Sequence, residues 1–319
     1  MTHPIKRYSL GIVMAIFGIC ALATAQELEV EPQTTTLEGA VTHVYKTIGG
    51  AELRLHVFPP SKKKSSRVPA IIFFFGGGWT MGDVAQFEEQ SKYLAKRGMV
   101  AIVADYRVFG RHKTGPFEAI ADAKSAIRWT RSHAKALGID PKRIAAAGGS
   151  SGGSVALSTA IFDGFDEKDE DKSVSSKPNA LILFNPAVDT TRNSPRLLSE
   201  RFRGLGSEGS PLQHLHRGLP PTVVFHGKSD TTVPYADAER FCRESTKLGN
   251  TCDLFGYEGA EHGFFNPGRA EGKWYRKTVL EMDRFLTRIG YLSKAAVAPS
   301  PTAASSPTAI PSSRITKSK

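Results

Sequence analysis

The sequence predicts an α/β protein: a doubly wound, mostly parallel eight-stranded sheet with an antiparallel N-terminal hairpin and helices on both faces. Three observations predict it. Short continuous apolar runs, the pattern of strands covered on both sides, alternate with segments of helical period. A glycine- and serine-rich turn, Gly148-Gly149-Ser150-Ser151-Gly152-Gly153, follows one of those runs directly. Two later runs end in polar turns that carry, in chain order, an aspartate and a histidine, at the strand ends where open α/β sheets hold ligands.

Taken in order, runs at Val41–Ile48 and Leu53–Phe58 read as a hairpin turned by Gly49-Gly50. Strands are then expected at Ile71–Phe75, Val100–Asp105, Ile144–Gly148, Ala180–Phe184, Thr222–His226 and Cys252–Tyr257. Helices are expected at Phe87–Lys96, Phe117–Leu137, Ser154–Phe162, Tyr235–Leu248 and Lys273–Ile289. No internal repeat interrupts this alternation. A core of roughly 270 residues is ample for one hydrophobic centre.

The turn after Ile144–Gly148 reads as a nucleophile elbow, Gly-x-Ser-x-Gly between strand and helix, where a Cβ beside the serine would collide with its neighbours. Two frames fit, one centred on Ser150 and one on Ser151. Ser150 is chosen because it leaves Gly152 and Gly153 in the first helical turn. A serine hydroxyl near neutral pH needs a base to take its proton and a carboxylate to fix that base's tautomer. His262, in Glu258-Gly259-Ala260-Glu261-His262-Gly263, and Asp230, in His226-Gly227-Lys228-Ser229-Asp230, follow in the chain order this architecture requires. Glu258 and Glu261 flank the histidine, but Asp230 occupies its own strand-end turn and is preferred. The run Phe73-Phe74-Phe75-Gly76-Gly77-Gly78-Trp79 supplies a fourth part. Backbone N–H groups of Gly77, Gly78 and Ser151 are the expected donors to an oxyanion.

From about residue 40 to 290 these motifs resemble the α/β-hydrolase superfamily, and within it the esterases related to hormone-sensitive lipase and the bacterial acetyl esterases. That group's usual oxyanion loop is His-Gly-Gly-Gly and its elbow Gly-Asp-Ser-Ala-Gly-Gly. Phe75 here replaces the histidine, which puts loop geometry and substrate preference in question more than activity. Ala104-Asp105-Tyr106-Arg107, Leu137–Ile144 and Glu261–Phe264 are similar to the group's connecting motifs. The resemblance implies a serine carboxylesterase of short acyl, above all acetyl, esters that needs no cofactor and no metal. The substrate would be a small-molecule or polysaccharide-linked ester. Alternatives are a peptidase or other hydrolase on the same fold, or a catalytically dead binding member.

Both ends read as standing outside the 40–292 catalytic domain. Residues 1–25 have the pattern of a signal peptide: Lys6-Arg7, an apolar Leu10–Leu22, and Ala23-Thr24-Ala25 as the cleavage site. Residues 26–39 read as a linker and 293–319 as a disordered Ala/Pro/Ser-rich tail. Export to the periplasm or beyond is expected, without stable membrane insertion once the peptide is cleaved after Ala25. Of three cysteines Cys20 would leave with that peptide, so Cys242 and Cys252 are expected to form a disulfide. The net charge of +11 falls to +5 on residues 26–292, a mildly basic surface that does not mark a nucleic-acid partner. Oligomeric state is not legible. Lys62-Lys63-Lys64 and Asp166–Asp171 read as solvated loops, Asp105 as a strand-end cap beside Arg107, Asp122 as structural, and His226 as a packed core residue. His214 and His216 lack a convincing set of metal ligands.

Overall fold

A computed structural model describes residues 36–61, 66–191 and 206–294. Residues 1–35, 192–205, most of the 293–319 tail and Lys62-Lys63-Lys64 lie outside the described residues. The described residues form an eight-stranded sheet in the order β1-β2-β4-β3-β5-β6-β7-β8. Its strands are β1 Val41–Ile48, β2 Ala51–Phe58, β3 Val68–Phe74, β4 Val100–Ala104, β5 Ile139–Gly149, β6 Ala180–Phe184, β7 Thr222–Gly227 and β8 Cys252–Tyr257. β1 and β2 form the expected hairpin, and Gly49 and Gly50 take the positive φ values of 56° and 78° that its two-residue turn needs. β2 also pairs antiparallel with β4, while β3 to β8 are parallel.

β3, β4 and β6 are apolar throughout, as strands covered on both faces should be, whereas the edge strand β1 is largely exposed and carries Thr, His and Lys. Every residue of β3, β4, β6 and β7 is buried. The helices are α1 Glu88–Arg97, α2 Phe109–His112, α3 Pro116–Ser132, α4 Ser151–Ile161, α5 Tyr235–Lys247 and α6 Lys273–Arg288. α1 stops at Gly98, whose φ of 96° lets its N–H return to the Leu94 and Ala95 carbonyls. α3 begins with Pro116 at its first position, and the Glu118 carboxylate accepts the Gly115 N–H at 2.8 Å. α4 is buried on every side, as a helix made only of apolar and small residues should be.

Several expectations need correction. α3 ends at Ser132, five residues early, where His133 onward turns toward β5. β5 begins at Ile139 and α4 at Ser151, so the helix starts directly at the turn. The acidic run is not simply solvated. Asp166 pairs with Lys124 and Arg128, Glu167 with Lys46 and Arg107, and Glu170 with Arg128. Asp105 caps the end of β4 as expected, accepting the Tyr106 N–H at 2.9 Å, and pairs with Arg111 at 2.7 Å, while Arg107 forks onto the fully buried Asp122. Cys242 and Cys252 form the expected disulfide, tying α5 to the start of β8.

Candidate active site

Strand β5 delivers Ser150 and helix α4 leaves immediately after it. The serine is held at φ 54°, ψ −122°, a strained conformation for a side-chain-bearing residue. It persists because the glycines around it let the chain pack where nothing else fits. A Cβ on Gly152 would lie 2.2 Å from the Phe74 and Phe75 carbonyl oxygens, and one on Gly149 would lie 2.4 Å from the Phe265 ring. The Ser150 N–H donates to the Phe184 carbonyl, which fixes the turn to the end of β6. Ser151, the rival of the other frame, is the first helical residue and is buried.

His262 and Asp230 converge on that serine from the ends of β8 and β7. His262 Nε2 lies 2.9 Å from Ser150 Oγ, and its Nδ1 lies 2.7 Å from Asp230 Oδ2. Asp230 is buried, and Oδ1 accepts the Thr232 and Val233 N–H groups at 2.9 and 2.8 Å. Burial opposes its ionisation. Hydrogen bonds from His226, His262 and the Val233 N–H outweigh that burial and hold the carboxyl well below the usual carboxylate range. An ionised carboxylate only accepts, so Nδ1 of His262 carries the proton and Nε2 is left to receive the serine's. Glu258 is largely exposed and pairs with Lys228, and Glu261 is exposed, so neither competes with Asp230 for the histidine.

Residues Gly76-Gly77-Gly78 pass in front of the serine. A Cβ on Gly76 would meet the Gly149 carbonyl at 2.9 Å and Ser150 Cβ at 3.3 Å. The Gly76 N–H is already taken by Gln86 Oε1 at 2.7 Å. Gly77 and Gly78 follow with φ of 136° and 63°, the first exposed and the second half-buried. Trp79 is buried, with a φ of 58°. The Phe75 ring stacks on Tyr106 with centroids 4.2 Å apart. The Tyr106 hydroxyl donates to the Phe75 carbonyl at 2.6 Å, so a buried phenol holds this loop.

Three supporting residues are not legible in the sequence as parts of this site. Gln86 anchors the glycine loop, and Tyr106 anchors Phe75. Asn185, fully buried at the end of β6, accepts the Gly263 N–H at 3.1 Å and so holds the histidine loop. Their partners are 10, 31 and 78 residues away in the chain, beyond the reach of any local pattern. Among the described residues no group of three or more His, Cys, Asp or Glu side chains could hold a metal ion. Nor is any of their helices long and apolar enough to cross a membrane.

Sheet order, the strained turn at Ser150 and the strand-end positions of its partners define an α/β-hydrolase of the esterase group. The chain belongs to the BD-FAE family, which matches residues 55–244. Residues 202–297 also match the dienelactone hydrolase family. Esterase 2 of Thermogutta terrifontis, solved phosphoramylated by tabun, is 45% identical with a TM-score of 0.79, covering 82% of this chain and 98% of that one. The same esterase with propionate bound is 44% identical with a TM-score of 0.78, at the same 82% and 98% coverage. The probable carboxylic ester hydrolase LipM of Mycobacterium tuberculosis is 26% identical over 269 residues, 77% of this chain and 60% of that protein. The chain spans 48–60% of the length of the first curated relatives it matches.

Proposed function

We propose that the protein is an exported serine carboxylesterase that hydrolyses short-chain acyl esters through Ser150, His262 and Asp230. The observation that carries this reading is the unbroken hydrogen-bonded path from Ser150 Oγ to His262 to Asp230, at 2.9 and 2.7 Å. Ser150 Oγ attacks the ester carbonyl carbon while His262 Nε2 takes its proton. Charge gathers on the carbonyl oxygen and is stabilised by the N–H groups of Gly77, Gly78 and Ser151, the last at the N-terminus of α4. Collapse breaks the bond to the alkoxy oxygen, which leaves as the alcohol with the proton from His262. Water, deprotonated by the same histidine, then attacks the acyl-serine and frees the acid.

The short acyl preference draws on the propionate-bound and butyrate-bound forms of the Thermogutta esterase. Export rests on the signal-peptide pattern of residues 1–25, and an N-terminal sequence starting at Gln26 on the exported protein would support it. An acetyl group on a polysaccharide is the natural substrate we favour for an exported member, and release of acetate from acetylated xylan tests it. The primary test compares hydrolysis of p-nitrophenyl acetate, butyrate and octanoate by wild type, Ser150→Ala and Ser151→Ala. We expect Ser150→Ala to fall by at least about 10³-fold in kcat and Ser151→Ala to retain turnover. Loss only in Ser151→Ala would reverse the assignment. An inert wild type that also fails to react with paraoxon would turn the reading to a binding protein, and faster turnover of aminoacyl-arylamides would turn it to a peptidase.

A further inference from the structure

The carboxylate at the end of this path has a second histidine against it. His226, the penultimate residue of β7, is fully buried. Its Nε2 lies 2.9 Å from the Val233 carbonyl oxygen and 3.4 Å from Asp230 Oδ2. A carbonyl and an ionised carboxylate only accept, so Nε2 carries the proton and is shared between them. The other ring nitrogen, Nδ1, is buried without a hydrogen-bond partner. The titratable groups that face His226 are Asp230 and Tyr235, whose ring from α5 meets it edge-on at 5.8 Å. His262 lies beyond the carboxylate.

We propose that His226 is a positioning residue for the triad, acting through Asp230. Its Nε2–H closes the turn from Asp230 to Val233 from inside, while the Thr232 and Val233 N–H groups close it from the other side on Oδ1. Together they leave Oδ2 one direction in which to point, toward His262 Nδ1. The imidazolium that forms on His262 during turnover is stabilised only while Oδ2 keeps that direction. His226 does not reach Ser150 or the substrate face, so its loss acts on turnover and not on binding. The proposal rests on the assignment of Asp230 as the triad acid.

The test is steady-state kinetics on p-nitrophenyl butyrate across pH for five variants: His226→Gln, His226→Asn, His226→Leu, Asp230→Asn and the double variant His226→Leu/Asp230→Asn. A glutamine amide reaches the position of Nε2, whereas asparagine's stops near Nδ1. We expect Leu and Asn to lower kcat about tenfold to a hundredfold. KM should stay within about twofold. Gln should recover most of the loss. In the Asp230→Asn background the Leu substitution should cost nothing more.

Equal activity of the Gln and Asn variants would overturn the proposal, as would a Leu penalty of the same size in both backgrounds. The Gln and Asn comparison keeps it testable if the Leu protein does not fold. Full activity in Asp230→Asn would instead defeat the triad assignment itself. An inactive Asp230→Asn beside a fully active His226→Leu would defeat only the role of His226.

Discussion

Asp230 is held ionised by donors that exist only in the folded chain, and the sign of its pH dependence follows from that. Its folded carboxyl lies below its unfolded one, so the unfolded chain binds more protons as the solution is acidified. The stability this aspartate contributes is therefore fully present at neutral pH and declines once the pH falls below about 4. The gap in urea midpoint between wild type and Asp230→Asn should shrink from pH 7 to pH 3, and a gap that widens would contradict the assigned bonds. The glycines make a sharper case. Gly152→Ala drives a Cβ onto two backbone carbonyls that cannot yield, and should cost about 1–3 kcal/mol along with most of the activity. A Cβ added at Gly164 would meet nothing within 4 Å, so Gly164→Ala should stay within about 0.5 kcal/mol of wild type in the same denaturation series. Ser150 is legible because its turn carries a local pattern. The loop anchors Gln86, Tyr106 and Asn185 are not, because an amide or a phenol in a sequence gives no sign of which distant backbone group it meets.

Among the elements, α3 shows where pattern reading stops. Its existence is plain from its period, but its end is not, since nothing after Ser132 in the chain breaks a helix before Gly138. The acidic stretch that follows α4 departs from its pattern for a related reason. A run of like charge reads as solvated unless its counter-ions are known, and here they stand on β1, after β4 and on α3. Asp122 is the centre of this network: fully buried, it takes the Arg107 fork and lies 2.8 Å from Lys46 Nζ. Removing it leaves two cations in a site that no longer neutralises them. Asp122→Ala should cost about 3–5 kcal/mol in a urea titration, whereas Glu244→Ala, at the exposed Lys247 pair, should leave the midpoint close to wild type. The ends of the strands are legible to within a residue because an apolar run bounded by glycine or a polar turn has few other uses, whereas β3 and β5 begin three and five residues before their apolar runs suggest.

For the molecule as a whole, the disulfide and the site sit at opposite ends of β8. Cys252 opens the strand and His262 follows its close, so the covalent tie constrains the chain without touching the chemistry. Cys242→Ser/Cys252→Ser should lower stability by about 2–3 kcal/mol and leave kcat on p-nitrophenyl butyrate at 25 °C unchanged. A fall in kcat at full occupancy of the fold would mean that the bridge positions His262 after all. That the sheet is doubly wound is legible from alternation, but the strand order, with β4 between β2 and β3, is not.

The same strand order sets when the active centre can come into being. Ser150 and His262 are separated by 112 residues, and they meet only after β6, β7 and β8 have added in turn to the edge made by β5. Each of those parallel pairings must close a long loop before it gains anything, which makes them slow steps. Collapse around the early strands needs none of them. On dilution from denaturant, burial of Trp79, which follows β3, should therefore be well advanced while ester turnover is still absent, and catalysis should return last.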